Sequence, residues 1–223
     1  MLVPYIIIKY YWRESCWHIP SFLSHHAFMR KENKLAPLNL NNNMSSAIVW
    51  FNGPSVKQFY NIPPHPLEVG CNFILDHRKV HHVCCYDQPA MKILEKTPVE
   101  GVKYWTRRIF GGPFWTAFKS NINHKKYRNI SGYCSGTLAL TLAVHLGAKK
   151  IYLLGCDWSL TNNSVYDKQY VWRRFPPNKT SKDKFQLIEL ISDLTELVIV
   201  HNTKRELGPN VKWITPEEFA EGH

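Results

Sequence analysis

The chain has 223 residues, of which 44% are hydrophobic and 20% charged, with 14 Pro and 11 Gly. That length suits one well-buried core, or a core with a small appendage, and the composition excludes a low-complexity chain. Its 28 Lys and Arg against 17 Asp and Glu give a net charge of +11, which favours anionic substrates or polyanions as partners.

The opening MLVPYIIIKYYW carries an apolar run too short to span a bilayer, and it lacks the basic leader and cleavage site of a signal peptide. The segment ends in the polar stretch LNLNNN, just before Met44. Residues 1–43 are therefore expected to be an N-terminal extension outside the native fold, with Met44 as the natural start and residues 44–223 as the folded domain. The extension holds five Lys and Arg and two Asp and Glu, which leaves 23 and 15, or +8, in residues 44–223.

AIVWF (47–51) reads as a strand that stops at Asn52-Gly53-Pro54-Ser55. Gly53 can take positive φ, Pro54 fixes its own, and Ser55 can cap the next turn or helix. Such a corner is either a plain turn or a set of converging amides that favours phosphate. EVGCNFIL (68–75) and VHHVCCYD (80–87) read as two further strands. Cys16, Cys71, Cys84, Cys85, Cys134 and Cys156 contain no Cys-x-x-Cys pair, so they are expected to be reduced, mostly buried thiols of a cytoplasmic chain and not a zinc site. His81 and His82 point to opposite faces of a strand, which rules them out as a metal pair.

Residues 97–128 are broken by Pro and Gly and are the most basic and aromatic part of the chain. Arg107, Arg108, Lys125 and Lys126, with Lys103 and Arg128, are candidates for phosphate contacts, and Trp115, Trp105 or Phe114 for base stacking. The alternative is a solvated basic face over an ordinary core. In SGYCSGTLALTLAVHLGAKKIYLLGCDW, Leu138, Leu142 and Leu146 predict a helix over 136–146, stopped by Gly147 and followed by the strand IYLLG. Its start at Ser135-Gly136 is a second anion-favouring corner. FQLIELISDLTELVIVH gives another helix and strand, and VKWIT a last strand. The expected fold is α/β: one Rossmann-like domain, with a mostly parallel sheet and helices on both faces. Asn52 to Ser55, Cys71-Asn72 and Gly155 to Trp158 should then emerge on one rim, facing Ser135-Gly136.

FNGPSVKQFYNIPPHPLEVGCNFIL and YCSGTLALTLAVHLGAKKIYLLGCDW together resemble the bacterial lipooligosaccharide sialyltransferases, with their Gly-Asn-Gly-Pro-Ser turn, Arg-Cys-Asn strand end, Thr-Ser-Gly helix start and Gly-Ile-Asp-Phe strand end. The same skeleton resembles the 6-hydroxymethylpterin diphosphokinase-like proteins. The match runs through most of residues 47–201 in order and spacing. It implies a sialyltransferase-like variant of the GT-A fold that binds a nucleotide-sugar donor with no obligatory metal. By the same resemblance, Asn52, Gly53 and Ser55 would line the donor phosphate and ribose, Asn72 would reach the nucleotide, and Ser135 and Gly136 would hold phosphate or base. Gly155 would let the donor approach the backbone, Asp157 would join the nucleotide-binding residues, and Tyr166 would steady the leaving phosphate.

Two departures matter. Phe51 replaces the first glycine of the turn, and no histidine stands in FPPNKTSKDKFQLIEL, where the family has its general base. Asp87, at the end of the third strand, is the best substitute, ahead of His201 and Asp157. The leading function is transfer of a sugar from a nucleotide-sugar to a hydroxyl on a glycan or nucleic-acid acceptor, such as a modified base in viral DNA. The alternatives are Mg²⁺-dependent diphosphate transfer from ATP to a hydroxymethyl compound, using Asp87 and Asp157, and a non-catalytic nucleic-acid-binding module.

Overall fold

The computed structural model describes residues 45–107, 114–118, 134–157, 186–204, 207–208 and 210–222. The extension 1–43 and the expected start at Met44 lie outside these residues. The strands are β1 (Ser46–Trp50), β2 (Glu68–Cys71), β3 (His82–Cys84), β4 (Lys103–Thr106), β5 (Thr116–Ala117), β6 (Lys150–Leu154), β7 (Glu196–Val200) and β8 (Val211–Ile214). Helices α1 (Gln88–Leu94), α2 (Ser135–His145), α3 (described over 186–192) and α4 (Pro216–Glu221) accompany them. All eight strands join one sheet in the order β5-β4-β3-β2-β1-β6-β7-β8, and every pairing is parallel. The sheet is thus wholly parallel, where the sequence predicts one mostly so.

Parallel strands covered on both faces read as continuous apolar runs, and β1 shows how one run serves two cores. Ala47, Val49 and Phe51 face α2 and α3, packing with Leu138, Leu142, Ile188 and Ile191. Ile48 and Trp50 face the opposite layer, where Val56, Phe59, Met91 of α1 and Phe219 of α4 cover them. The wholly buried face of α2 suits its place across the middle of the sheet. No helix among the described residues is long and apolar enough to cross a membrane.

Three sequence expectations change. The run 68–75 is a strand only to Cys71, because Asn72 turns into the left-handed region at φ 52° and a 3₁₀ turn comes next at Ile74–Asp76. The run 80–87 narrows to His82–Cys84. The broken segment after residue 97 holds two strands, β4 and β5, which extend the sheet beyond β3.

His82 is 8% exposed, and its Nδ1 accepts a hydrogen bond from Trp105 Nε1 at 3.0 Å, so the neutral ring carries its proton on Nε2. Burial, helped by Lys103 and His81, lowers its pKa from 6.5 to about 4. The unfolded chain therefore takes up a proton near pH 6.5 that the folded chain refuses until about pH 4. Stability is full above pH 6.5 and falls as the pH drops through that window, by roughly 2 kcal/mol at pH 4.5 from this group. Urea unfolding at pH 7 and 4.5 should show a smaller loss in His82→Gln, whose amide oxygen still accepts from Trp105. An equal loss in both proteins would remove His82 as the source.

Candidate functional site

The winding of the sheet fixes where a ligand can enter. From β1 the chain steps outward through β2, β3, β4 and β5, then returns across α2 to lay β6 on the other side of β1. The direction of winding reverses between β1 and β6, and open α/β sheets bind ligands at the carboxyl ends of the strands where this happens. Asn52 follows β1, Asn72 follows β2, Asp87 lies three residues beyond β3, and Asp157 lies three beyond β6. Hydrogen bonds knit this rim together.

At the first corner three backbone donors are already used. Gly53 N–H donates to Gly155 O at 2.9 Å, Val56 N–H donates to Gly53 O at 3.0 Å, and Ser55 N–H donates to Asp157 Oδ2 at 2.7 Å. The Ser55 hydroxyl donates to the other oxygen of the same carboxylate. Asp157 is 3% exposed, and His201 Nε2 stands 3.5 Å from its Oδ1. The protein's own carboxylate thus takes both donors of Ser55, so Ser55 and Asp157 form a tie between β1 and β6. Asp157 braces this corner. His201 has its Nδ1 occupied by Thr203 N–H at 2.9 Å and its Nε2 facing Asp157, which leaves neither nitrogen free to act as a base.

The glycines serve close approach. A Cβ on Gly53 would lie 2.5 Å from both Asp157 Cγ and Gly155 O, and one on Gly136 would lie 2.3 Å from Phe51 Cδ1. Phe51 is 2% exposed, so the bulk it brings to the turn is taken up by the bare backbone of Gly136 at the start of α2. The two departures from ordinary side-chain size compensate each other.

Asn52 Oδ1 accepts from the Cys71 thiol at 3.0 Å, and Asn72 Oδ1 accepts from the Cys85 thiol at 3.4 Å. Burial pushes the Cys85 thiol up to about 12 and raises that of Cys71, so both remain protonated donors at neutral pH. Ser135 Oγ accepts from Tyr86 N–H at 2.9 Å, which joins the start of α2 to the turn carrying Asp87. Asp87 itself is exposed and immediately precedes α1. At α2 the Thr137 hydroxyl accepts from Cys134 N–H at 2.9 Å within a capping box, ahead of eleven helical residues.

The structure thus brings Asn52, Asn72, Asp87, Ser135 and Gly136 to one rim beside the Gly53–Gly155 and Ser55–Asp157 ties. Arg107 is exposed directly after β4. Trp115 is a correction: it is 6% exposed, donates from Nε1 to Glu95 at 2.8 Å and packs edge-on against Tyr104, so it is a core residue and not a stacking surface. Trp105 is likewise buried against Phe118. Arg108, Lys125, Lys126 and Tyr166 lie outside the described residues. The thiols of Cys71 and Cys85 as partners of the two asparagines are new from the structure. Only the position of each cysteine at a strand end hinted at them.

No protein-family model and no curated protein matches the chain. Among solved structures it is similar to the monofunctional alpha-2,3-sialyltransferase Cst-I from Campylobacter jejuni, at 18% identity and a TM-score of 0.42 over 71% of this chain and 75% of that one. It is also similar to the sialyltransferase CST-II in complex with trisaccharide acceptor and CMP, at 16% identity and a TM-score of 0.45 over 74% of this chain and 86% of that one. Both likenesses are too distant to carry the chemistry of a site over to this chain.

Proposed function

We propose that the chain is a glycosyltransferase-like enzyme that holds a nucleotide-activated sugar at the rim and passes the sugar to a hydroxyl acceptor. The observation that carries this reading is the reversal of winding between β1 and β6, with Asn52, Asn72, Ser135 and Asp87 at the strand and helix ends around it. The sequence resemblance of the same segments to the lipooligosaccharide sialyltransferases supports it from a separate direction. In this reading the carboxamides of Asn52 and Asn72 and the start of α2 hold the nucleotide. Asp87, exposed on the turn tied to Ser135, takes the proton of the acceptor hydroxyl as its oxygen attacks the anomeric carbon. The bond from that carbon to the phosphate oxygen breaks, and the nucleotide leaves as an anion steadied by Tyr166 and the α2 amides. Diphosphate transfer from ATP is less well supported, because Asp157, one of the two acids it would use for Mg²⁺, is braced against Ser55.

A thermal-shift screen of CMP-, UDP- and GDP-sugars against ATP with Mg²⁺ tests the proposal. A true donor at a hundred times its Kd should stabilise the chain by about 2.7 kcal/mol. Asn52→Ala should weaken that donor by about 1 kcal/mol if it contacts a neutral group and by roughly 1.5–3 kcal/mol if it contacts phosphate. A shift with ATP and Mg²⁺ alone would favour the diphosphokinase reading, and equal binding by Asn52→Ala would move the donor away from this rim.

A further inference from the structure

We propose that Cys71 and Cys85 are positioning residues, whose thiols lock the carboxamides of Asn52 and Asn72 with their amino groups turned toward the ligand. The proposal deepens the nucleotide-sugar reading and rests on it for the identity of the ligand. A carboxamide has two faces that differ only in which atom donates, and the partner of one atom decides what the other offers. Here each oxygen is taken by a thiol proton: Asn52 Oδ1 by Cys71 Sγ at 3.0 Å, and Asn72 Oδ1 by Cys85 Sγ at 3.4 Å. Both thiols are buried, and burial keeps each of them protonated. A protonated thiol is a donor, so the oxygen end of the amide faces inward and the Nδ2 end faces out.

The backbone places the two carboxamides with care. Asn72 is the one described non-glycine residue with positive φ, at 52°, and its N–H is bonded to Cys84 O at 3.0 Å. Asparagine tolerates that conformation better than most side chains, so the turn is held while the side chain stays available. The two asparagines follow neighbouring strands whose register pairs Trp50 with Gly70. The result is a pair of amino donors on adjacent strand ends. Such a pair selects a ligand edge rich in acceptors and without donors, as the phosphate oxygens of a nucleotide are.

The two thiols are not equivalent. The Cys71 thiol donates to Asn52 Oδ1 at the shorter distance, whereas the Cys85 proton is shared between Asn72 Oδ1 and the carbonyl of Asp87 at 3.6 Å. Loss of the Cys71 thiol should therefore free its asparagine more completely than loss of Cys85. The Cys85 contact also reaches the turn that carries Asp87, which links nucleotide and acceptor sides of the rim through one sulfur.

The test uses the full chain and two readouts. Titration calorimetry with CMP, UMP, AMP and GMP compares wild type with Cys71→Ala, Cys71→Ser, Cys85→Ala and Cys85→Ser. Cys71→Ala is expected to weaken the nucleotide that binds wild type by about fivefold, and Cys71→Ser, which restores a donor, to lie within about twofold of wild type. Cys85→Ala should fall between them. In parallel, the Nδ2 proton pairs of Asn52 and Asn72 are followed by ¹⁵N-edited NMR without ligand: they should shift in each Ala variant and return in each Ser variant. Unchanged proton pairs in folded Ala variants, or equal affinity of Ala and wild type, would overturn the proposal. A serine variant as weak as its alanine counterpart would do the same, since bulk and not donation would then be what matters. If wild type binds none of the four nucleotides, the nucleotide reading falls, and the proton pairs still decide whether the thiols hold the carboxamides.

Discussion

Replacing Arg78 by Met should lower the free energy of unfolding by roughly 3–5 kcal/mol, because it strands a buried carboxylate. The Arg78 and Glu68 side chains are 8% and 2% exposed, with Arg78 Nε 2.6 Å from Glu68 Oε2 and Nη2 2.7 Å from Oε1. The same carboxylate accepts from Trp50 Nε1 at 2.9 Å and from His65 N–H at 2.7 Å. The guanidinium in turn donates to the carbonyls of Tyr60, Ile62 and Pro63 and lies 4.7 Å over the Trp50 ring. It thus pins the loop between β1 and β2 while neutralising the one acid of β2. Arg78→Lys keeps the charge but offers a compact head in place of a planar fork, so it should recover less than half of the loss. Adding Glu68→Gln to Arg78→Met removes the stranded charge but not the three orphaned carbonyls, and should restore stability only in part. Urea unfolding of the four proteins checks this, and an unchanged midpoint in Arg78→Met would refute it.

Two glycines with nearly the same backbone should respond very differently to alanine. Gly155 has φ +73° and Gly147 has φ +89°, so each substitution carries a left-handed penalty of about 1–2 kcal/mol. Around Gly147 a new Cβ meets nothing within 4 Å, and that penalty is the whole expected effect. At Gly155 the Cβ would come within 2.7 Å of Val56 Cβ and 3.0 Å of Phe51 O, in a core where Val56 is fully buried. Overpacking adds its own term, for a total of roughly 2–5 kcal/mol. The strain falls on the corner between β1 and β6, so Gly155→Ala should also weaken any nucleotide that binds the rim, while Gly147→Ala should not. Equal losses in the two variants would show that the corner has room to give.

The layered sheet is legible in the sequence because its signals are local. Leu138, Leu142 and Leu146 mark one helix face, and IYLLG and ELVIV are runs that only a doubly covered strand explains. Short elements are harder. β5 has two residues, and nothing in Thr116-Ala117 distinguishes it from a loop until its neighbour β4 is in place. The last helix has a readable start, Thr215 with Glu218 in a capping box after Pro216, but its six residues carry too little periodicity to stand out. At the site, the residue types at strand ends can be read, and their partners cannot. Ser55 and Asp157 are 102 positions apart, so no local pattern reveals that one consumes the donors of the other. Trp115 looks like a stacking surface by composition, and only its bond to Glu95 places it inside.

The position of β1 also governs the order in which the molecule can be made. Its partner on one side, β2, lies about twenty residues away, whereas its partner on the other, β6, aligns Ser46 with Lys150 across a loop of about a hundred residues. The half-sheet from β1 to β5 can begin to pair while the rest of the chain is still being synthesised, but its central strand then shows a bare apolar edge. Until β6 arrives, Gly53 and Ser55 have neither Gly155 nor Asp157 to bond, and the rim has no second wall. Such non-local pairing places the chain among slow folders, with the β1 edge as the point where a nascent chain meets either its own later half or a copy of itself.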